Sequence, residues 1–134
     1  GGDYTVETKI NLSQPLTADW QQFVLLVYLD DDNYIKMNYG MNSDTGCQFL
    51  FEKDGSEQKS FGTSASAHTV WLRISKSGNM YTGYYSTDGS NFIQVGKEII
   101  ASLDGARLGF AAHNDGGEAP VIDFTVEYLN VYPA

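Results

Sequence analysis

Glu52-Lys53-Asp54-Gly55-Ser56-Glu57 reads E-x-D-x-x-E, three carboxylates within six residues. Paired carboxylates cleave glycosidic bonds when one acts as acid and the other as nucleophile, about 5–5.5 Å apart for retention. That chemistry needs a rigid surface presenting both groups. Here the intervening residues are Lys, Gly and Ser around an Asp-Gly dipeptide, a strong hairpin-turn signal. The carboxylates are expected to splay from a hairpin tip, and a charged turn is the better reading. Asp30-Asp31-Asp32 suggests Ca²⁺, which takes about six to eight oxygen ligands. The run lacks the D-x-D-x-D-G spacing and a closing Glu, so a solvated turn explains it. His68 and His113 are the only histidines, and neither has a partner cysteine or an H-E-x-x-H context. Cys47 is the single cysteine, which forbids an internal disulfide; within GCQFLF it reads as a small buried hydrophobe. No G-x-S-x-G, P-loop or dinucleotide fingerprint occurs.

Binding chemistry is better represented than catalysis. In Val70–Phe92, Val70, Leu72 and Ile74 alternate with Trp71, Arg73 and Ser75, the period-two pattern of a two-faced strand. A two-residue turn at Ser77-Gly78 would pair Ile74 with Tyr81, Leu72 with Gly83 and Val70 with Tyr85 on the core side. Arg73 would then face Thr82, and Trp71 would face Tyr84, on the other side. A three-residue turn would flip the second strand. Upstream, Gln22–Leu29 is apolar almost throughout and reads as a central strand covered on both sides. A turn through the three aspartates sets Tyr28 opposite Tyr34 and Leu26 opposite Lys36. Leu25, Val27, Ile35 and Met37 then share the core face, and Lys36 and Asn38 lie on the face of Tyr28. Aromatic faces stack on the C–H surfaces of sugars, and planar polar groups read their hydroxyls. Trp71, Tyr84 and Tyr28 with Arg73, Lys36 and Asn38 are therefore the candidate binding set. Trp20 and His113 join it from the rim, His113 because it ends a strand at a glycine-rich loop. The cations leave room for an acidic sugar. Cross-strand stabilisation is the competing use of the same residues.

The elements that must position these groups are strands. The chain has 134 residues, enough for one domain with its own core. Tyr (9), Phe (7) and Gly (14) are abundant and Pro (3) is scarce, an all-β composition rich in tight turns. D-G, S-G and G-G turns divide the chain into about ten to twelve strands, with Glu98–Leu103 readable as a strand or a helical turn, which predicts a two-sheet antiparallel β-sandwich. The formal charge of −9 argues against nucleic acid and anionic membranes as partners. No run of about 18 apolar residues exists to span a bilayer. The Gly-Gly start without an initiator Met or signal peptide suggests a piece of a larger multidomain protein.

Three segments carry a resemblance. QFVLLVYLDDDNYIKM (22–37), WLRISKSGNMYTGYYSTDGSNF (71–92) and RLGFAAHN (107–114), followed by a strand ending VEYLNVY, are similar to the concanavalin A-like sandwich domains appended to bacterial glycoside hydrolases. The C-terminal domains of glycoside hydrolase family 43 are the nearest kind. The resemblance implies a jelly-roll sandwich with a concave face, and it supports Tyr28, Lys36 and Arg73 as non-core positions. Where the family often has small residues, this chain has Phe23 and Val24, which would fill ligand space. Related modules hold a structural Ca²⁺ near the chain ends, for which Asp3, Glu118 and Asp123 are the conceivable donors; no other cofactor is expected. The implied function is a non-catalytic, monomeric carbohydrate-binding module, secreted or at the bacterial cell surface. It would bind an oligo- or polysaccharide and target a linked catalytic domain to it. The alternatives are a structural or protein-interaction (adhesion) sandwich without sugar binding and, third, a small jelly-roll glycosidase using Glu52 and Glu57.

Overall fold

The computed structural model describes residues 2–13, 21–40, 46–114 and 123–133, with the backbone alone for His113 and Asn114. The described residues form eleven strands in chain order: β1 (Tyr4–Leu12), β2 (Gln21–Asp30), β3 (Asn33–Gly40), β4 (Gly46–Lys53), β5 (Ser56–Ser64), β6 (Thr69–Ser77), β7 (Met80–Ser86), β8 (Ile93–Gln94), β9 (Ile99–Ile100), β10 (Arg107–Asn114) and β11 (Phe124–Pro133). All pairings are antiparallel. One sheet has the order β11-β1-β6-β7-β8, with β9 also on β7, and the other has β10-β2-β3-β4-β5. No helix occurs among the described residues. The fold is the two-sheet sandwich that composition and turn spacing predict, and Glu98–Leu103 contributes only the two residues of β9.

Period-two alternation explains the core. Val6, Ile10, Val70, Leu72, Ile74, Tyr81 and Tyr85 point inward from the first sheet. Phe23, Leu25, Val27, Ile35, Met37, Tyr39, Phe49 and Phe51 meet them from the second. Each such side chain stabilises the fold by about 1.5–3 kcal/mol on burial. Cys47 joins this layer, and burial pushes its thiol up to about 12. The β2–β3 register follows the aspartate turn as expected, Tyr28 opposite Tyr34 and Leu26 opposite Lys36.

The β6–β7 hairpin differs from its expected register. Ser77 pairs with Met80, so the turn residues are Gly78 and Asn79. Trp71 stands opposite Ser86 and Arg73 opposite Tyr84, not opposite Tyr84 and Thr82. The slip is two residues, so every side chain keeps its face while its partner changes. The cause lies partly in Gly83, which sits opposite Ile74 on the core side. A Cβ there would stand 2.6 Å from the Phe49 ring of the facing sheet. Gly83→Ala is therefore expected to lower stability by about 1–3 kcal/mol through overpacking, read as a reduced urea midpoint.

Candidate functional site

The sandwich has two outer faces, and the predicted binding set is divided between them. Trp71, Arg73 and Tyr84 lie on the outer face of the β11-β1-β6-β7-β8 sheet. Tyr28, Lys36 and Asn38 lie on the outer face of the β10-β2-β3-β4-β5 sheet. The whole core separates them, so the six cannot form one groove. Trp20 and Glu118 lie outside the described residues. His113 holds the register position opposite Gln22 on β10.

On the first face Arg73 and Trp71 already have partners, and Tyr84 stands opposite Arg73 in the register. Arg73 donates through Nε and Nη2 to Glu7 Oε1 at 2.9 and 2.6 Å. The Tyr128 hydroxyl donates to the other Glu7 oxygen at 2.6 Å. The Arg73 guanidinium lies 3.6 Å from the centre of the Phe92 ring. Trp71 is covered from one side by Lys9, whose ammonium is 5.1 Å from the ring, and from another by Gly89, where a Cβ would approach the ring to 2.8 Å. Lys9 in turn pairs with Glu127 at 2.7 Å. This is a cross-strand network that ties β11, β1, β6 and the Ser86–Phe92 turn together.

The second face is different. Its outward residues form rows across the strands: Ala111, Val24, Asn38, Gln48; then Gly109, Leu26, Lys36, Leu50; then Arg107, Tyr28, Tyr34, Glu52. Over β2 and β3 lies a pocket of ≈ 290 Å³ lined by Gln22, Val24, Leu26, Tyr28, Asp31, Tyr34 and Lys36. That is near the lower end of the size of small-molecule sites. Val24 and Leu26 supply apolar lining. Phe23, which the resemblance suggested would fill ligand space, points into the core and stacks on Phe110 at 5.6 Å. Tyr28 and Tyr34 are direct cross-strand neighbours at one end.

Electrostatics set the character of this end. The Tyr28 hydroxyl donates to Asp31 Oδ1, and that bond raises the phenol above its usual range. Burial, then the charge and hydrogen bond of Glu52, push Tyr34 up to about 12, so it remains a neutral hydroxyl at physiological pH. Lys36 is buried at 8% exposure. Desolvation lowers its pKa, and the charges of Glu52 and Glu57 oppose that shift. The aspartate turn is closed by its own hydrogen bonds. Asp30 Oδ1 accepts from the Asp32 amide and from Asn33 Nδ2, each at 2.9 Å, which holds its carboxyl below the usual range. Asn33 Oδ1 accepts from the Asp54 amide at 3.0 Å, lacing this turn to the Asp54-Gly55 turn.

The carboxylate motif and the cation candidates also fall into place. Glu52 and Glu57 hold directly opposed backbone positions next to the Asp54-Gly55 turn of the β4–β5 hairpin. Glu57 is exposed on an edge strand, and neither carboxylate lines the pocket. Asp3 and Asp123 stand at opposite ends of β1, about 30 Å apart at strand rise. Asp3 caps the β6–β7 turn by accepting from the Gly78 amide at 2.8 Å, and Asp123 pairs through its backbone with Ser13. They cannot share an ion, and no group of three metal-ligating side chains occurs among the described residues. Sequence reasoning missed Gln22, Asp31 and Arg107 as members of this face. Asp31 and Gln22 adjoin residues it singled out, but Arg107 arrives opposite Tyr28 through a pairing remote in sequence.

Solved structures share this architecture. The GH43 protein BlXynB from Bacillus licheniformis superposes with a TM-score of 0.87 over 100% of this chain, at 18% identity, and the chain spans 28% of that protein. The legume lectin-like domain from Entamoeba histolytica matches at 0.73 and 14% identity, covering 100% of this chain and 74% of that one. The carbohydrate binding module CBM66 from Bacillus subtilis matches at 0.63 and 14% identity, over 98% and 76% of the two chains. The fold is the concanavalin A-like β-sandwich. No protein-family model matches the sequence, and no curated protein does.

Removing the cation from the first face leaves Glu7, 7% exposed, with Tyr128 alone. Arg73→Met is expected to cost about 2–4 kcal/mol, a little less than breaking a fully buried pair because Arg73 is partly solvated. Urea denaturation reads this loss, and ligand affinity should not change.

Proposed function

We propose that this chain is a non-catalytic carbohydrate-binding module and that it binds through the outer face of the β10-β2-β3-β4-β5 sheet. The observation that carries the reading is the pocket over β2 and β3. It combines apolar lining (Val24, Leu26), two phenol rings (Tyr28, Tyr34) and convergent polar groups (Gln22, Asp31, Lys36). That is the mixture a sugar ring needs, with rings against its C–H faces and polar groups at its hydroxyls. The likeness to a carbohydrate binding module and a lectin-like domain supports it. Trp71 and Arg73 belong to the stabilising network of the opposite face and stand outside the proposed site. The wider setting we propose is a monomeric module of a secreted or surface-attached bacterial polysaccharide-degrading protein, directing a linked catalytic domain to its substrate. Glu52 and Glu57 then act as a charged hairpin pair, and the module releases no sugar.

Gly109 provides a test that leaves the core intact. It lies beside Leu26 on the outer face, and a Cβ there meets no atom within 4 Å. Gly109→Leu should fold with an unchanged melting temperature and occlude the pocket from the β10 side. On a glycan array spanning plant-wall, fructan and host glycans, followed by calorimetry, the wild type should bind without releasing reducing ends. Gly109→Leu should bind at least about tenfold more weakly, a loss of roughly 1.4 kcal/mol. Silence of the wild type across the array would instead favour a structural or protein-interaction sandwich.

A further inference from the structure

The same face carries three side-chain amides whose oxygens are buried and accept no hydrogen bond: Gln22 Oε1, Asn38 Oδ1 and Gln48 Oε1. The register makes them neighbours. Gln48 stands directly opposite Asn38, and Asn38 opposite Val24, two residues along the same face of β2 from Gln22. Direct neighbours lie about 5 Å apart and diagonal ones about 7–8 Å. Gln22 is in the pocket wall, and the other two continue the row across β3 and β4.

The donor ends of two of these amides are committed. Asn38 Nδ2 donates to the Gly40 carbonyl at 2.8 Å, and Gln48 Nε2 to Ser60 Oγ at 2.9 Å. Those bonds fix the amide planes and leave the oxygen as the free end. Gln22 and Asn38 are 6% and 0% exposed, so bulk water does not compensate them. Buried polar atoms without a partner are few in folded proteins. Gln22 in the pocket wall and its two neighbours in the row share a single unmet requirement, a hydrogen-bond donor.

We propose that this amide row is the specificity element of the site: Gln22, in the pocket wall, turns its amide oxygen to accept a hydroxyl proton from a neutral sugar, Asn38 and Gln48 extend the same acceptor row behind it, and the row discriminates against ionised uronic acids. The inference rests on the carbohydrate-binding reading above. A sugar hydroxyl supplies the missing donor, whereas an ionised carboxylate is acceptor only and would face oxygen with oxygen. The surrounding charge acts in the same sense. Asp31 lines the pocket, Glu52 and Glu57 act on Lys36, the cation among the described lining residues, and Arg107 stands farther out opposite Tyr28. The chain as a whole carries −9. The room that the cations in the sequence left for an acidic sugar is not used on this reading.

Calorimetry on matched pairs tests this: galacto-oligosaccharides against oligogalacturonides, and gluco-oligosaccharides against their glucuronate counterparts, at neutral pH. The neutral member of at least one pair should bind about tenfold or more tightly than its uronate. Gln22→Leu and Gln48→Leu should each weaken neutral binding about three- to tenfold, the value of one hydrogen bond. They should also narrow the neutral-to-uronate ratio, whereas simple structural damage would lower both affinities and leave the ratio unchanged. Equal or tighter uronate binding, or leucine variants with wild-type affinity or an unchanged ratio, would overturn this inference and leave the module reading standing. Absence of binding to both members of every pair and across the glycan array would overturn both.

Discussion

A residue in a strand can face only one side of its sheet, and the inter-sheet core has decided which. Leu25, Val27, Ile35 and Met37 face Val70, Leu72 and Ile74 across that core. Their neighbours in sequence are therefore turned outward, to one of two surfaces about a sandwich thickness apart. Everything said of binding follows from this partition. A ring on β6 and a ring on β2 are equally non-core, yet they never meet the same ligand.

The two outer faces have been put to different uses. On the β11-β1-β6-β7-β8 side, Glu7 is nearly buried and holds both Arg73 and Tyr128, while Lys9 bridges Trp71 and Glu127. Charged and aromatic groups there satisfy one another across three strands. On the β10-β2-β3-β4-β5 side, Val24, Lys36, Asn38 and Leu50 are buried although they point away from the core. Polar atoms remain unmatched on that side, and the glycine and alanine of β10 leave the surface low beside Leu26. One face is closed by its own contacts, and the other presents unmet hydrogen-bonding capacity around a pocket.

Much of this was legible in the sequence, and the remainder was not for identifiable reasons. Alternation placed Trp71, Arg73, Tyr28 and Lys36 on non-core faces, and the aspartate turn set the Tyr28–Tyr34 pair, because both are local properties of adjoining strands. The β6–β7 register was ambiguous because Ser77, Gly78 and Asn79 all have turn chemistry, and tertiary packing around Gly83 contributes to the choice. The division of the candidate site was invisible for a deeper reason. Alternation says that a residue faces outward but not from which sheet. The carboxylate that holds Arg73 comes from β1, 66 residues away, and the hydroxyl that shares it comes from β11, and no local pattern announces either. The unmet amide oxygens were equally hidden, since Gln22, Asn38 and Gln48 come together only when β2, β3 and β4 pair.

Whether ligand meets the β10-β2-β3-β4-β5 face can be read from an NMR titration of the ¹⁵N-labelled protein with a glycan that it binds. Chemical-shift changes should cluster on the backbone amides of Gln22–Tyr28, Tyr34–Asn38 and Arg107–Ala111, while those of Glu7, Trp71, Arg73 and Tyr84 stay in place. Shifts centred on Trp71, Arg73 and Tyr84 with a silent β2–β3 hairpin would contradict binding at that face.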